Sequence, residues 1–364
     1  MKGVGIVKKF IISVLVMIAA FFISYEVTMG KNGIIQETSK VGNDNLKQIA
    51  SIDDKNVNNA PIKITISAAG DTTLGSDESF GKEYTFDAEF QKHSGDYGYF
   101  TQNVKSIFTN DDMTIVNLEG TLTNASKEAD KEYKFRGNPI YVNILKDGGV
   151  DAVNLANNHS FDYGRQGFDD TVYTLKKAGI GYFGYGYKYI KEIKGIKVGV
   201  LGYTGWSFPE DLKKQIREDI QDMKRQTNLV IVCFHWGDEG KYYPNKIQVA
   251  LGHYAVDEGA DLVLGTHPHV IEGIERYNGK YIVYSLGNFI FGGNRNPSDK
   301  DAFIFQQSFT FDNSKRLISL SNMNLIPISI SSLKDRNDFR PVILEGSEKE
   351  RVLKKIADLS NEIK

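Results

Sequence analysis

Short apolar runs alternate with longer polar stretches from about residue 62 to residue 293, and six of those runs stop on a side chain suited to binding a metal. ITISAAGD stops at Asp71, TIVNLE at Glu119, AVNLANNH at Asn158 and His159, VIVCFH at His235, LVLGTHPH at His267 and His269, and IVYSLGN at Asn288. Brief Val, Ile and Leu runs bounded by Gly and Asn are the pattern of buried strands. Between them the spacing predicts helices over Asn103–Thr109, Tyr141–Gly148, Gly167–Ala178, Pro209–Thr227 and Gln248–Gly259. Strands alternating with crossover helices define an α/β fold. In such sheets the carboxyl ends of neighbouring strands gather around one crevice, so polar residues far apart in sequence converge there.

Beyond Leu286 the pattern changes. DAFIFQQSFTFD and RLISLSNMNLIPISIS alternate as strands do and flank the turn-like DNSKR, which predicts an antiparallel hairpin or meander, closed by an amphipathic helix over Ser347–Ile363. No repeat of solenoid type is present.

The first sixty residues read differently. Lys2, Lys8 and Lys9 precede an uncharged apolar stretch from Phe10 to Tyr25, followed by Glu26 and then Val27, Thr28 and Met29. The stretch fits either a short spanning helix or the apolar core of a secretory signal. The positive flank keeps the amino end in the cytoplasm, so either reading exports the rest. No convincing small-x-small cleavage site follows, which favours an uncleaved anchor over residues 1–29. Residues 30–60, rich in Asn, Lys, Asp and Ser, read as a polar tether. The expectation is therefore a single-pass protein of the cell membrane whose folded domain, residues 61–364, lies outside the cytoplasm.

Composition narrows the function by exclusion. The formal net charge is −2, without a basic excess or an interleaved Arg and aromatic patch, so no nucleic-acid partner is expected. Cys233 is the one cysteine and sits inside LVIVCF, where it reads as a small buried hydrophobe rather than a nucleophile, and no intramolecular disulfide is possible.

Asp71, Glu119, Asn158, His235, His267 and His269 form the candidate metal set. Mixed imidazole, carboxylate and amide donors suit Mn, Zn, Fe or Ni better than a purely oxygen-loving ion. In THPH, Pro268 fixes its own φ and biases His267 toward extended geometry, which is expected to aim both rings at one locus. Read singly, each residue has a plainer alternative: Asp71 as a turn or cap, Glu119 as a residue before a turn, Asn157 and Asn158 as left-handed turn positions, and His159 as a partner of local carbonyls. His93 and His253 read as having no part in the site. Trp236, Tyr242, Tyr243 and Asn288 lie near its expected mouth. Repetition of the strand-end placement carries the metal reading.

Taken in order, GDTTLG, VNLEGTLT, LANNHSFDYG, FHWGDEG, GADLVLGTHPHVIEG and YSLGNFIF resemble the successive motifs of the CapA, or poly-γ-glutamate capsule synthesis, family, itself similar to calcineurin-like metallophosphoesterases. The resemblance implies a calcineurin-like α/β/β/α sandwich with one or two divalent ions, Mn, Zn or Fe. It implies Asp71, Glu119 (as the bridge), Asn158, His235, His267 and His269 as ligands, His159 as a transition-state stabiliser or leaving-group acid, and Asp162 as its orienting partner. One departure stands out: the phosphoesterases have Asp-x-His where this chain has Asp71-Thr72-Thr73.

Two functions follow as expectations. In the first, a membrane-anchored metal-dependent hydrolase or transferase acts on an anionic cell-surface polymer, poly-γ-glutamate or similar, or on its precursor. In the second, motivated by Thr73, the same scaffold is a non-catalytic subunit of a capsule polymer synthesis and export complex. Both expect other capsule synthesis subunits as partners.

Overall fold

Ile64, Ile66 and Ala68 face one side of the first strand and Ala69 the other, and the same alternation, strand after strand, sorts the apolar side chains into three separate layers. The computed structural model describes residues 60–363. The expected anchor, and the tether up to Asn59, lie outside the described residues. Among the described residues no helix is long and apolar enough to cross a membrane.

The strands are β1 (Ile62–Thr73), β2 (Met113–Leu118), β3 (Thr121–Leu122), β4 (Arg136–Gly137), β5 (Ala152–Asn154), β6 (Gly181–Phe183), β7 (Tyr189–Ile193), β8 (Ile196–Gly205) and β9 (Leu229–Trp236). They continue as β10 (Leu262–Thr266), β11 (Ile274–Tyr277), β12 (Lys280–Val283), β13 (Asn288–Phe291), β14 (Asp301–Phe311), β15 (Leu317–Leu320), β16 (Asn324–Ser329) and β17 (Val342–Ile343). One sheet runs β17-β16-β14-β1-β2-β5-β6, with β13 added beside β1 and β15 beside β14. A second runs β11-β12-β10-β9-β8-β7. The central pairings β1·β2, β2·β5, β8·β9 and β9·β10 are parallel, as the crossover pattern requires.

Helices α1 (Phe86–Lys92), α2 (Lys105–Thr109), α3 (Val142–Gly148) and α4 (Gly164–Ala178) belong to the first sheet, α5 (Glu210–Gln226) and α6 (Lys246–Asp257) to the second, and α7 (Gly346–Asn361) closes the chain. Ile66, Ile115, Ile231, Leu264 and Phe305 meet between the sheets. Val116 and Val153 pack with Phe90, Leu145 and Phe168 on one outer face, and Val230, Val232 and Val263 with Ile216, Ile220 and Leu251 on the other. The order is helices, sheet, sheet, helices, and the expected α/β/β/α sandwich is what forms. Cys233 is buried in the layer between the sheets.

The expected helices are present with ends that differ by at most three residues, the difference normal for frayed termini. Helix α1, whose Thr85 cap accepts the Ala88 amide, is not among the helices expected from the sequence. The C-terminal hairpin forms, but its return arm is two strands. β14 pairs with both β15 and β16, and between them the Ser321 hydroxyl accepts from the Ser308 amide at 2.9 Å, replacing a backbone carbonyl in the ladder.

Candidate metal centre

In β9, Leu229, Ile231 and Cys233 point between the sheets while Val230, Val232 and Phe234 point toward the helices. Period two then puts His235 on the inter-sheet side, just past the apolar layer. Glu119 follows β2 with the same parity as Met113 and Ile115. β1 requires an extra residue to do the same: Ala68 pairs with Ile115 and Asp71 with Asn117, so β1 advances three residues while β2 advances two. That bulge resets the phase of β1 and turns Asp71 into the inter-sheet crevice.

The donor atoms of the six candidate ligands come together at these strand ends. Single atoms of Asp71, Glu119 and His269 lie within 4.8 Å of one another, as do those of Glu119, His235 and His267. Glu119 belongs to both groups, in the position of a bridge. Asn158 Oδ1 lies 2.8 Å from His235 Nε2, beside the second group.

Hydrogen bonds fix the rest. Asn117 Nδ2 donates to Asp71 Oδ1 at 2.8 Å, and Asn154 Nδ2 donates to Asn117 Oδ1 at 3.0 Å. Thr266 Oγ1 lies 3.1 Å from His235 Nδ1, and Asn288 Oδ1 lies 2.9 Å from His269 Nδ1. With Nδ1 so occupied, His269 turns Nε2 toward Glu119 Oε1, 3.8 Å away. Polar partners on the far ring nitrogen are what set the tautomer of a ligating histidine.

The His-Pro-His turn differs from the expectation. His267 has φ +105° and His269 φ +58°, so His267 is not extended before Pro268. Its amide instead donates to Asp71 Oδ2 at 3.1 Å, a bond that rewards the unusual backbone and brings both imidazoles to the carboxylates. Asn157 and Asn158 are not left-handed. Asn157 accepts the His159 amide on Oδ1 and donates to the Leu118 carbonyl, tying the Asn-Asn-His loop to β2.

His159 faces the same crevice, with Nε2 3.8 Å from Glu119 Oε1. Asp162 Oδ2 lies 2.6 Å from its Nδ1 and also accepts the Phe135 amide, while Lys131 Nζ pairs with Asp162 Oδ1 at 2.8 Å. The Phe135 ring stacks on the imidazole at 4.1 Å.

Electrostatics suits a cation. Burial drives the Glu119 carboxyl well above its usual range, with His269 opposing and Asp71 reinforcing the shift, and neither Glu119 oxygen has a hydrogen-bond partner. Burial and the neighbouring imidazoles hold His235 well below the usual range and His267 down at about 4. Burial lowers His269 too, but the Glu119 and Asp71 carboxylates outweigh it and lift the ring to about 10. The His267 Nδ1 is likewise buried without a partner. Glu119 is buried with both oxygens unpartnered, His235 and His267 are kept neutral beside it, and only His269 brings positive charge, so a cation among these donors would satisfy the idle oxygens. The residues present therefore fit a divalent ion.

A cleft of about 610 Å³ opens onto this centre, lined in part by Phe80, Tyr133, Phe135, His159, His269 and Asn288. Trp236 is no part of its mouth: buried, it stacks on Phe234 and donates to the Tyr284 carbonyl at 2.8 Å. Trp206, which no sequence pattern marks, packs edge-on against His267 at 4.6 Å. Tyr242 reaches the cleft rim through Asp299, at 2.9 Å. His93 stacks on Tyr99, and His253 stacks on Tyr277 and pairs with Glu275; neither is among the clustered donors. Lys131, Asn117 and Thr266 are further site residues that sequence reading misses, because nothing local sets them apart.

Fold and centre together define a class: an α/β/β/α sandwich whose strand ends gather carboxylates and imidazoles around one crevice. Residues 65–293 match the family described as bacterial capsule synthesis protein PGA_cap, and the chain belongs to that family. It is 35% identical over 212 residues to the PGA biosynthesis protein CapA of Bacillus subtilis, covering 52% of this chain and 56% of that protein. To the capsule biosynthesis protein CapA of Bacillus anthracis it is 30% identical over 310 residues, 76% of this chain and 71% of that one. Among solved structures, the 5'-nucleotidase of Candida albicans aligns with a TM-score of 0.40 and 12% identity, over 82% of this chain and 58% of that one.

Proposed function

We propose that the chain acts in the synthesis, anchoring or export of an anionic capsule polymer, poly-γ-glutamate or a similar one, as a metal-dependent hydrolase or transferase. The relatives named for capsule and PGA biosynthesis support the role. The Lys-flanked apolar run from Phe10 supports a membrane-anchored protein with its folded domain outside the cytoplasm, working beside other capsule synthesis subunits. The observation that carries the enzyme reading is Glu119, buried with both oxygens unpartnered among three imidazoles.

Asp71, Glu119 and His269 would hold one ion, Mn, Zn or Fe, and Glu119, Asn158, His235 and His267 a second. Such an ion polarises a phosphoryl or carbonyl oxygen and lowers the pKa of water toward neutrality. The protein's own part is positioning and proton transfer. Asp162, held by Lys131 and the Phe135 amide, keeps the His159 proton on Nδ1 and leaves Nε2 free to take a proton from the attacking water and pass it to the leaving group. Burial lowers the His159 pKa against the pull of Asp162, so the ring is available as a neutral base near pH 7. Phe135 covers one face of that ring against water.

The test pairs chemistry with output in the cell. The intact chain should carry divalent metal and turn over a phosphoester or γ-glutamyl substrate, and His267→Ala should lower surface polymer at least about tenfold. Polymer output unchanged in His267→Ala but abolished by deleting residues 1–30 would reject the enzyme in favour of a scaffold.

A further inference from the structure

We propose that Glu239 is a metal ligand, supplying the donor that Thr73 leaves missing from the ion position formed by Asp71, Glu119 and His269. The inference rests on the reading that the centre holds divalent metal. One carboxylate oxygen of Glu239 and one nitrogen each of His267 and His269 lie within 4.8 Å of one another. His269 is common to this group and to the group of Asp71, Glu119 and His269, so Glu239 borders that ion position, and the His267 ring beside it carries a buried, unpartnered Nδ1. Glu239 itself lines the cleft and has no ion-pair partner among the described residues.

Its placement is built by the loop that carries it. The Gly240 amide donates to the Pro268 carbonyl at 2.8 Å, which staples this loop to the turn between the two histidines. Asp238 accepts from Asn245 Nδ2 at 2.9 Å, and the same Asn245 caps α6 in a reciprocal pair with Gln248. Gly237, at φ +87°, has the Gln248 amide against it, where a Cβ would sit 2.7 Å away. Three anchors thus hold a short loop whose one free acid faces the imidazoles.

The chemistry of the two positions then differs. Asp71, Glu119 and Glu239 with the single imidazole His269 make an oxygen-rich set, suited to a harder ion such as Mn²⁺. His235 and His267 with Glu119 and Asn158 make a nitrogen-richer one, suited to Zn²⁺ or Fe²⁺.

Mn²⁺ titration of the intact chain, with metal content measured after dialysis, tests this. Wild type should bind two Mn²⁺ per chain. Glu239→Gln, an exposed isosteric change, should keep one and weaken the other at least about tenfold. Two ions held by Glu239→Gln with unchanged affinity would overturn the assignment while leaving the metal centre intact, as would a wild type that binds one ion only. A wild type that binds none would overturn it together with the metal reading itself.

Discussion

A carboxyl oxygen cut off from water and without a hydrogen bond favours the neutral acid or a neighbouring cation, and among the described residues Glu119 and Glu272 both carry such an oxygen. At Glu119 the neighbours are imidazoles and a second carboxylate. At Glu272, fully buried three residues after His269, Gln248 Nε2 donates to the carboxyl at 2.6 Å, and burial pushes the group up to about 8 from its ordinary 4.5 against that bond. The folded chain therefore keeps a proton on Glu272 that the unfolded chain releases. This contribution to stability is fully present below about pH 4.5 and is lost as pH rises through about 8, at no more than about 1.4 kcal/mol per pH unit. Glutamine at the same place carries no such proton. The difference in Tm between Glu272→Gln and wild type should therefore shift in favour of the variant from pH 5 to pH 8, and a constant difference would show that Glu272 is ionised in the fold.

At the scale of elements, the centre depends on how closely β1 approaches the segment leading into β13. The Asp71 amide donates to the Gly287 carbonyl at 3.1 Å, and a Cβ on Gly70 would lie 1.8 Å from that carbonyl oxygen. Gly70→Ala should push the strands apart, cost roughly 2 kcal/mol or more in denaturant unfolding, and weaken metal binding although residue 70 offers no donor. Unchanged stability and metal affinity would contradict the packing described. The strands that end at the centre are legible in the sequence because period-two burial and apolar runs are local signals. Asp71 is the instructive exception: its side is set by a bulge between Ala68 and Asp71 that no pattern in ISAAGD announces. The left-handed His267 and the stapled Glu239 loop arise from contacts across nearly two hundred and about thirty residues respectively, with Asp71 and Pro268. Lys131 and Trp206 are hidden for the same reason, being ordinary residues placed by tertiary structure. The break in the return arm of the hairpin hangs on one serine hydroxyl, which periodicity cannot register.

At the scale of the whole molecule, the centre lies where the two sheets meet. Asp71 and Glu119 come from the ends of β1 and β2, and Asn158 from the loop after β5, all in the first sheet; His235 lies at the end of β9, and His267 and His269 follow β10, in the second. An ion shared among them would tie the sheets together at the carboxyl ends of their strands, beyond the apolar layer of Ile66, Ile231, Leu264 and Phe305. Family membership and the sandwich stand on the match over residues 65–293 and on the observed topology; the chemistry stands on that shared ion. Anomalous diffraction from crystals of the protein grown with Mn²⁺ tests it most directly. The account predicts at least one strong anomalous peak within about 2.0–2.4 Å of Glu119 together with donor atoms from both sheets, and a well-ordered crevice with no peak in contact with Glu119 would contradict it.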